Sequence, residues 1–90
     1  MHEMSLMNDL LKKIETIAQE NKADKVMGVK VRLGALSHIS AGHFREHFVE
    51  GTKGTLAEDA ELEIEVSEDI NDPHAQDILL INVNIPDLIP

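Results

Sequence analysis

Cysteine is absent from this chain of 90 residues, and so are tryptophan and tyrosine. Without cysteine there is no disulfide framework, no thiolate metal site and no thiol redox chemistry. With Phe44 and Phe48 as the only aromatic residues, the core has to be built from Leu, Ile, Val and Met. Long apolar runs are missing too. None approaches the roughly 20 residues that cross a bilayer, so no membrane association is expected. The N-terminus has neither the basic n-region nor the apolar h-region of a secretory signal, which makes the cytoplasm the expected compartment. Basic residues are scarce: 8 Lys and Arg stand against 17 Asp and Glu, a net charge of −9. Such a chain repels nucleic acid unless its cations are concentrated. Lys12-Lys13, Lys22/Lys25 and Lys30/Arg32 are too short for that. An acidic surface favours cations or a basic protein partner instead. Catalytic signatures are also lacking. There is no G-x-S-x-G elbow and no pair of carboxylates in an apolar setting, and GTKGT lacks the spacing of a phosphate loop. The chain is not expected to be an enzyme.

What is present is the 42% hydrophobic content of a globular protein, sufficient for one domain over residues 1–90. Leu6, Met7, Leu10, Leu11, Ile14, Ile17 and Ala18 recur at helical spacing. They predict a helix from Met4 to about Asn21, capped by Ser5 or Asn8 and followed by a turn over 21–24. Lys25 to Leu36 alternates, with Met27, Val29, Val31 and Leu33 on one face and Lys30 and Arg32 on the other. A second helix over 41–52 follows Ser40, a good N-cap, with Phe44 and Phe48 one turn apart and Gly51 and Gly54 punctuating its end. Glu61 to Val66 alternates again, pointing Leu62, Ile64 and Val66 inward. After a polar loop at 67–77, the last strand is expected to point Leu79, Ile81, Val83 and Ile85 inward and to pair with its predecessor as a hairpin. The expected fold class is α+β, in the order α-β-α-β-β, with two helices on one face of a three-stranded mixed sheet. Lys30 and Arg32 suit Glu61, Glu63 and Glu65 as cross-strand partners, so the first two strands are expected to be neighbours.

The candidate chemistry lies at the first residues, Met1-His2-Glu3. A bulky residue at position 2 normally protects the initiator methionine from removal. The free amine of Met1, the amide nitrogen of His2 and the His2 imidazole then lie close enough to form fused chelate rings on one ion, with the Glu3 amide as a fourth donor. A flat nitrogen set suits Ni(II) or Cu(II) and suits tetrahedral Zn(II) much less. His43 and His47, at i and i+4 on the second helix, are a second candidate pair, although they flank the Phe44/Phe48 stripe and are expected to face water. His38, after the first strand, and His74, before the last, are loop histidines able to complete a terminal site. The Glu61/Glu63/Glu65 row reads most simply as a solvated strand face.

Three stretches, MHEMSL, VRLGALS and GTLAEDAELEIEV, together resemble the HypA/HybF family, the nickel-insertion proteins of [NiFe]-hydrogenase maturation, used also for urease. The resemblance covers about residues 1–67 and resumes at the last strand. It implies Ni(II) binding by Met1, His2 and Glu3, with His74 or His38 as an extra donor, and it implies a HypB-type GTPase and the hydrogenase large subunit as partners. A homodimer is left open. Family members carry a zinc domain with two CxxC pairs between the second and last strands. Here that place is the short loop 67–77, so no structural zinc is expected. A second reading keeps the fold as a zinc-less protein-interaction or regulatory module that does not deliver metal, docking through Ile78 and Leu80 on the outer face of the last strand.

Overall fold

The computed structural model describes residues 2–86, with side chains described from residue 6 onward. The element order is α1 (His2–Glu20), β1 (Gly28–Leu33), α2 (Ala41–Thr52), β2 (Glu61–Val66) and β3 (Ile78–Asn84). It is an α+β fold in which both helices cover one face of a mixed three-stranded sheet.

α1 starts two residues earlier than its apolar spacing suggests, so Ser5 and Asn8 are interior positions rather than caps. Met7, Leu10, Ile14 and Ala18 recur at one face and are buried there. The helix stops at residues 21–23. The Ala23 amide donates to the Ala18 carbonyl (2.8 Å), and Lys22 takes a positive φ of 57°. This is the left-handed ending that satisfies terminal carbonyls. Val26, just beyond it, donates to the Leu56 carbonyl just beyond α2 (2.8 Å). The segments that follow the two helices are thus tied to each other by backbone.

β1 is shorter than the alternating stretch 25–36. Val26 is fully buried and Met27 is 46% exposed, so the inward phase starts only at Val29. Val29, Val31 and Leu33 then lie against Ile14, Phe44 and Phe48 in the core. α2 begins as its sequence suggests: the His43 amide donates to the Ser40 hydroxyl (3.1 Å), and Phe44 and Phe48 are buried with ring centroids 6.2 Å apart. Gly51 does not terminate the helix. It lies inside it and faces α1, because a Cβ there would sit 3.0 Å from Leu11 Cδ1. Gly54, at φ +78°, takes the turn that follows.

β1 is the central strand, in the order β2-β1-β3. It pairs in parallel with β2 over an unbroken register from Gly28↔Glu61 to Leu33↔Val66. This places Lys30 beside Glu63 and Arg32 beside Glu65, both as ion pairs. On its other edge β1 pairs antiparallel with β3, so β2 and β3 do not form a hairpin. Val66, the last residue of an edge strand, is 57% exposed instead of inward.

β3 differs most from simple alternation. Lys30 is opposite Asn82, but Val31 is opposite Leu80, which leaves Ile81 as the extra residue of a β-bulge. One inserted residue exchanges the two faces of everything beyond it. Ile78 and Leu80 consequently pack on the core before the bulge, and Val83 and Ile85 after it. Leu79 and Ile81 are not inward residues, and Ile81 is 41% exposed. Ile78 and Leu80, expected on the outer face, are not available as a docking patch.

The same edge continues past the strand ends. The Gly34 amide donates to the Asp77 carbonyl (2.9 Å) and the Leu36 amide to the Ala75 carbonyl (2.7 Å). A Cβ on Gly34 would lie 2.2 Å from the Ala75 carbonyl oxygen, so only glycine permits this approach. The glycine of VRLGALS thus fastens the 67–77 segment to the end of β1.

Candidate metal centre

Met1 and the side chains of His2 and Glu3 lie outside the described residues, but the backbone of His2 and Glu3 forms the first turn of α1. Amides in a helix's first turn have no carbonyl four residues earlier to bond. The two amide nitrogens that a terminal chelate would recruit are therefore ones the helix leaves unused.

One turn along from His2 is Leu6. Leu6, Asp9, Leu10 and Lys13 form one wall of a cleft whose other wall is His74, Asp77, Ile78 and Leu79. His74 is thus beside the first half of α1, placed there by the Gly34–loop pairing and by β3. His38 is exposed, holds a positive φ of 63° and is not among the residues lining this cleft.

His74 is oriented by two contacts. Its backbone amide donates to Asp72 Oδ1 (2.9 Å), the local turn that an aspartate two residues earlier favours. Its ring Nδ1 is 3.0 Å from Asp77 Oδ2. An ionised carboxylate can only accept, so Nδ1 carries the proton, and in the neutral ring the lone pair is on Nε2. This is the arrangement in which a carboxylate fixes a histidine's tautomer and raises its basicity toward a metal. The acidic loop around it, with Asp69, Asp72 and Asp77, favours a cation.

The second histidine grouping is on α2. His43 and His47 face each other with Nε2 atoms 2.9 Å apart and ring centroids 4.5 Å apart. Both residues sit at the helix surface, His43 exposed and His47 half-buried. Gly51, four residues beyond His47, abuts Leu11 of α1. Among the described residues no three His, Asp or Glu side chains converge as a ready-made metal cage.

The charged outer face of the sheet is a different kind of feature. The Arg32 guanidinium bonded to Glu65, helped by its charge and by that of Lys30, holds the Glu65 carboxyl below the usual glutamate range. Two of the three glutamates of the 61/63/65 row are thereby committed to β1. Reading the sequence alone misses Ser37 in the VRLGALS segment, whose hydroxyl is buried with no hydrogen-bond partner among the described residues. It also misses Asp77, whose role depends on the fold bringing it to His74.

The family model described as hydrogenase/urease nickel incorporation, metallochaperone, hypA matches residues 1–71. The hydrogenase maturation factor HypA of Archaeoglobus fulgidus is 39% identical over 66 residues, covering 73% of this chain and 60% of that protein. The corresponding factor of Aquifex aeolicus is 41% identical over 66 residues, covering 73% of this chain and 57% of its own length. The chain thus spans about 60% of the length of the curated relatives it matches. The solution structure of the Ni metallochaperone HypA from Helicobacter pylori shares the fold, with a TM-score of 0.76 at 19% identity over 92% of this chain and 96% of that one. From its first residues through β2, the chain belongs to the hydrogenase/urease nickel-incorporation family of HypA metallochaperones.

Proposed function

We propose that this protein is a non-catalytic accessory factor that binds Ni(II) as cargo through Met1, His2 and Glu3 and passes it on during [NiFe]-hydrogenase or urease maturation. The observation that carries this reading is that α1 starts at His2 in a chain of a nickel-incorporation family. The Met1 amine, the His2 amide and imidazole and the Glu3 amide then supply a planar nitrogen set at no cost in helix hydrogen bonds. His74, its tautomer set by Asp77, is the neighbouring donor best placed to join them, ahead of His38. With no cysteine in the chain, this activity has to proceed without a four-thiolate zinc site in the 67–77 loop. The partners are a HypB-type GTPase and the hydrogenase large subunit, and the compartment is the cytoplasm. Among the described residues no helix is long and apolar enough to cross a membrane. The reading as a pure interaction module loses one of its two supports, because Ile78 and Leu80 pack on the core; the missing zinc domain is the other.

The test is a titration of Ni(II) into protein with an untagged, natural N-terminus, repeated on His2→Ala and His74→Ala. Stoichiometric binding with the absorbance of a planar nitrogen site is expected, lost in His2→Ala and weakened in His74→Ala. Wild-type binding no tighter than about micromolar would leave the interaction module as the better account.

A further inference from the structure

We infer that the outer edge of β2 is a docking site for an extended, basic segment of another protein, which adds to the sheet as a fourth strand. In the order β2-β1-β3, β2 has a strand neighbour on one side only. The Glu61 amide donates to the Met27 carbonyl and the Ser67 amide to the Leu33 carbonyl (both 2.9 Å), so residues 61, 63, 65 and 67 turn their backbone toward β1. The amides and carbonyls of Leu62, Ile64 and Val66 consequently point away from it. Among the described residues one group is bonded to that edge, the Arg45 guanidinium of α2, 3.4 Å from the Leu62 carbonyl. An edge left open in this way is a template for another strand.

The side chains beside the edge determine what that strand must carry. On the solvent face stands the row Glu61, Glu63 and Glu65. Lys30 reaches Glu63 through Oε2, and Arg32 reaches Glu65 through Oε1. Each of these carboxylates is held by one oxygen and can accept further donors through the other. Glu61 is exposed and makes no ion pair among the described residues. On the helix side the neighbours are apolar. Ile64 is half-buried, Val66 is 57% exposed, and Val49 of α2 lines a groove with Ala60, the residue before β2. An incoming strand therefore sets basic side chains at alternate positions against the glutamates, with apolar ones between them. β1 already carries this pattern in Lys30, Val31 and Arg32, and the docked strand repeats it on the other side of β2.

A second copy of this chain does not fit. An antiparallel β2–β2 pairing would set two glutamate rows against each other in chains of net charge −9, and like charges opposite one another destabilise a sheet. The His74 cleft is lined by other residues, from α1, the 67–77 loop and β3. The docking site therefore stands or falls independently of nickel binding.

The test uses the isotope-labelled full chain with EDTA present, and an end-capped hexapeptide of alternating lysine and valine as the probe. The expected result is saturable binding with a Kd on the order of 100 μM, amide shifts concentrated on residues 61–67, and exchange of the Leu62, Ile64 and Val66 amides slowed about tenfold. A peptide of the same composition with its lysines in one block should bind about tenfold more weakly, as should one with glutamate in place of lysine. Val66→Pro removes an edge amide without touching the β1 ladder, so it should weaken binding about tenfold while the urea midpoint stays near wild type. Glu61→Lys leaves the edge backbone intact and should weaken binding through charge, which decides the matter if Val66→Pro does not fold. Absence of saturable binding overturns the docking site. So do equal binding of the block peptide, shifts centred on β3 or α1, and full affinity in the variants. Self-association in sedimentation that is lost in Val66→Pro overturns the basic partner in favour of a second copy.

Discussion

The two edges of β1 are built on different rules. Toward β2 the pairing is parallel, unbroken for the length of both strands and fastened on its solvent face by Lys30–Glu63 and Arg32–Glu65. Toward β3 it is antiparallel, interrupted by the bulge at Ile81 and extended beyond the strands by the pairing of residues 34–36 with 75–77. The regular edge is bordered by charge and carries no candidate ligand. The irregular edge brings His74 and Asp77 to the first half of α1. Bulges and close glycine approaches commonly re-aim a side chain toward a site, and here they position His74 in a cleft with α1.

If that fastening matters, the largest single effect should come from Gly34→Ala. The new Cβ would overlap the Ala75 carbonyl, and backbone has to move to admit it. We expect a loss on the order of 3 kcal/mol, measured by urea unfolding, together with weakened nickel binding because the His74 loop is displaced. A stability within about 0.5 kcal/mol of wild type would mean that the loop yields freely and does not hold His74. The bulge predicts a smaller effect. Leu80→Ala removes a side chain packed on the core and should cost about 1–2 kcal/mol, whereas Ile81→Ala, at the exposed extra residue, should stay within about 0.5 kcal/mol. Uninterrupted alternation through β3 predicts the reverse order, so equilibrium unfolding of the two variants separates the two registers.

Those two residues also show where a sequence stops being informative. α2, β2 and the β1–β2 neighbourhood could be read directly, because Ser40, the Phe44/Phe48 spacing and the Lys/Arg-opposite-Glu pattern are local or pairwise signals. The β3 inner face could not. A bulge is a property of two strands in register, and the run Ile78-Leu79-Leu80-Ile81 is apolar on both faces. The hairpin expectation failed for a related reason: sequence neighbours usually pair, but Gly34 ties the loop before β3 to the end of β1. At the candidate site, Met1-His2-Glu3 was legible as a chelating sequence, and His43/His47 as an i, i+4 pair. The nearness of His74 to α1 was not, because residues far apart in the chain create it through β3.

Asp77 tests the irregular edge chemically rather than structurally. Asp77→Asn keeps the size of the side chain but removes the carboxylate that fixes the His74 tautomer. Nickel affinity should fall roughly tenfold, read by competition with a chelator, with little change in unfolding midpoint. Arg32→Gln, on the regular edge, should leave nickel affinity unchanged. Equal affinity in Asp77→Asn and wild type would remove His74 from the ligand set.

The smallest effect belongs to the regular edge and depends on pH. Arg32 lowers the pKa of Glu65 in the folded chain, so folding favours the ionised carboxylate. The resulting stability is complete above the unfolded glutamate pKa of about 4.3, and it is lost as pH falls through the lower folded value. Both side chains are well exposed to solvent, which screens the pair, so its contribution is small. A single Glu65→Gln variant measures it poorly, because removing one negative charge from a chain at −9 also relieves general repulsion. The double-mutant cycle of Arg32→Gln and Glu65→Gln cancels that background and isolates the coupling. Thermal midpoints of the four proteins should give a small favourable coupling at neutral pH. That coupling should shrink with added salt, as the screening of exposed charges requires, and should disappear well below pH 4.3. A coupling that persists unchanged in strong acid would mean that Arg32 and Glu65 hold the β1–β2 edge by packing and not by charge.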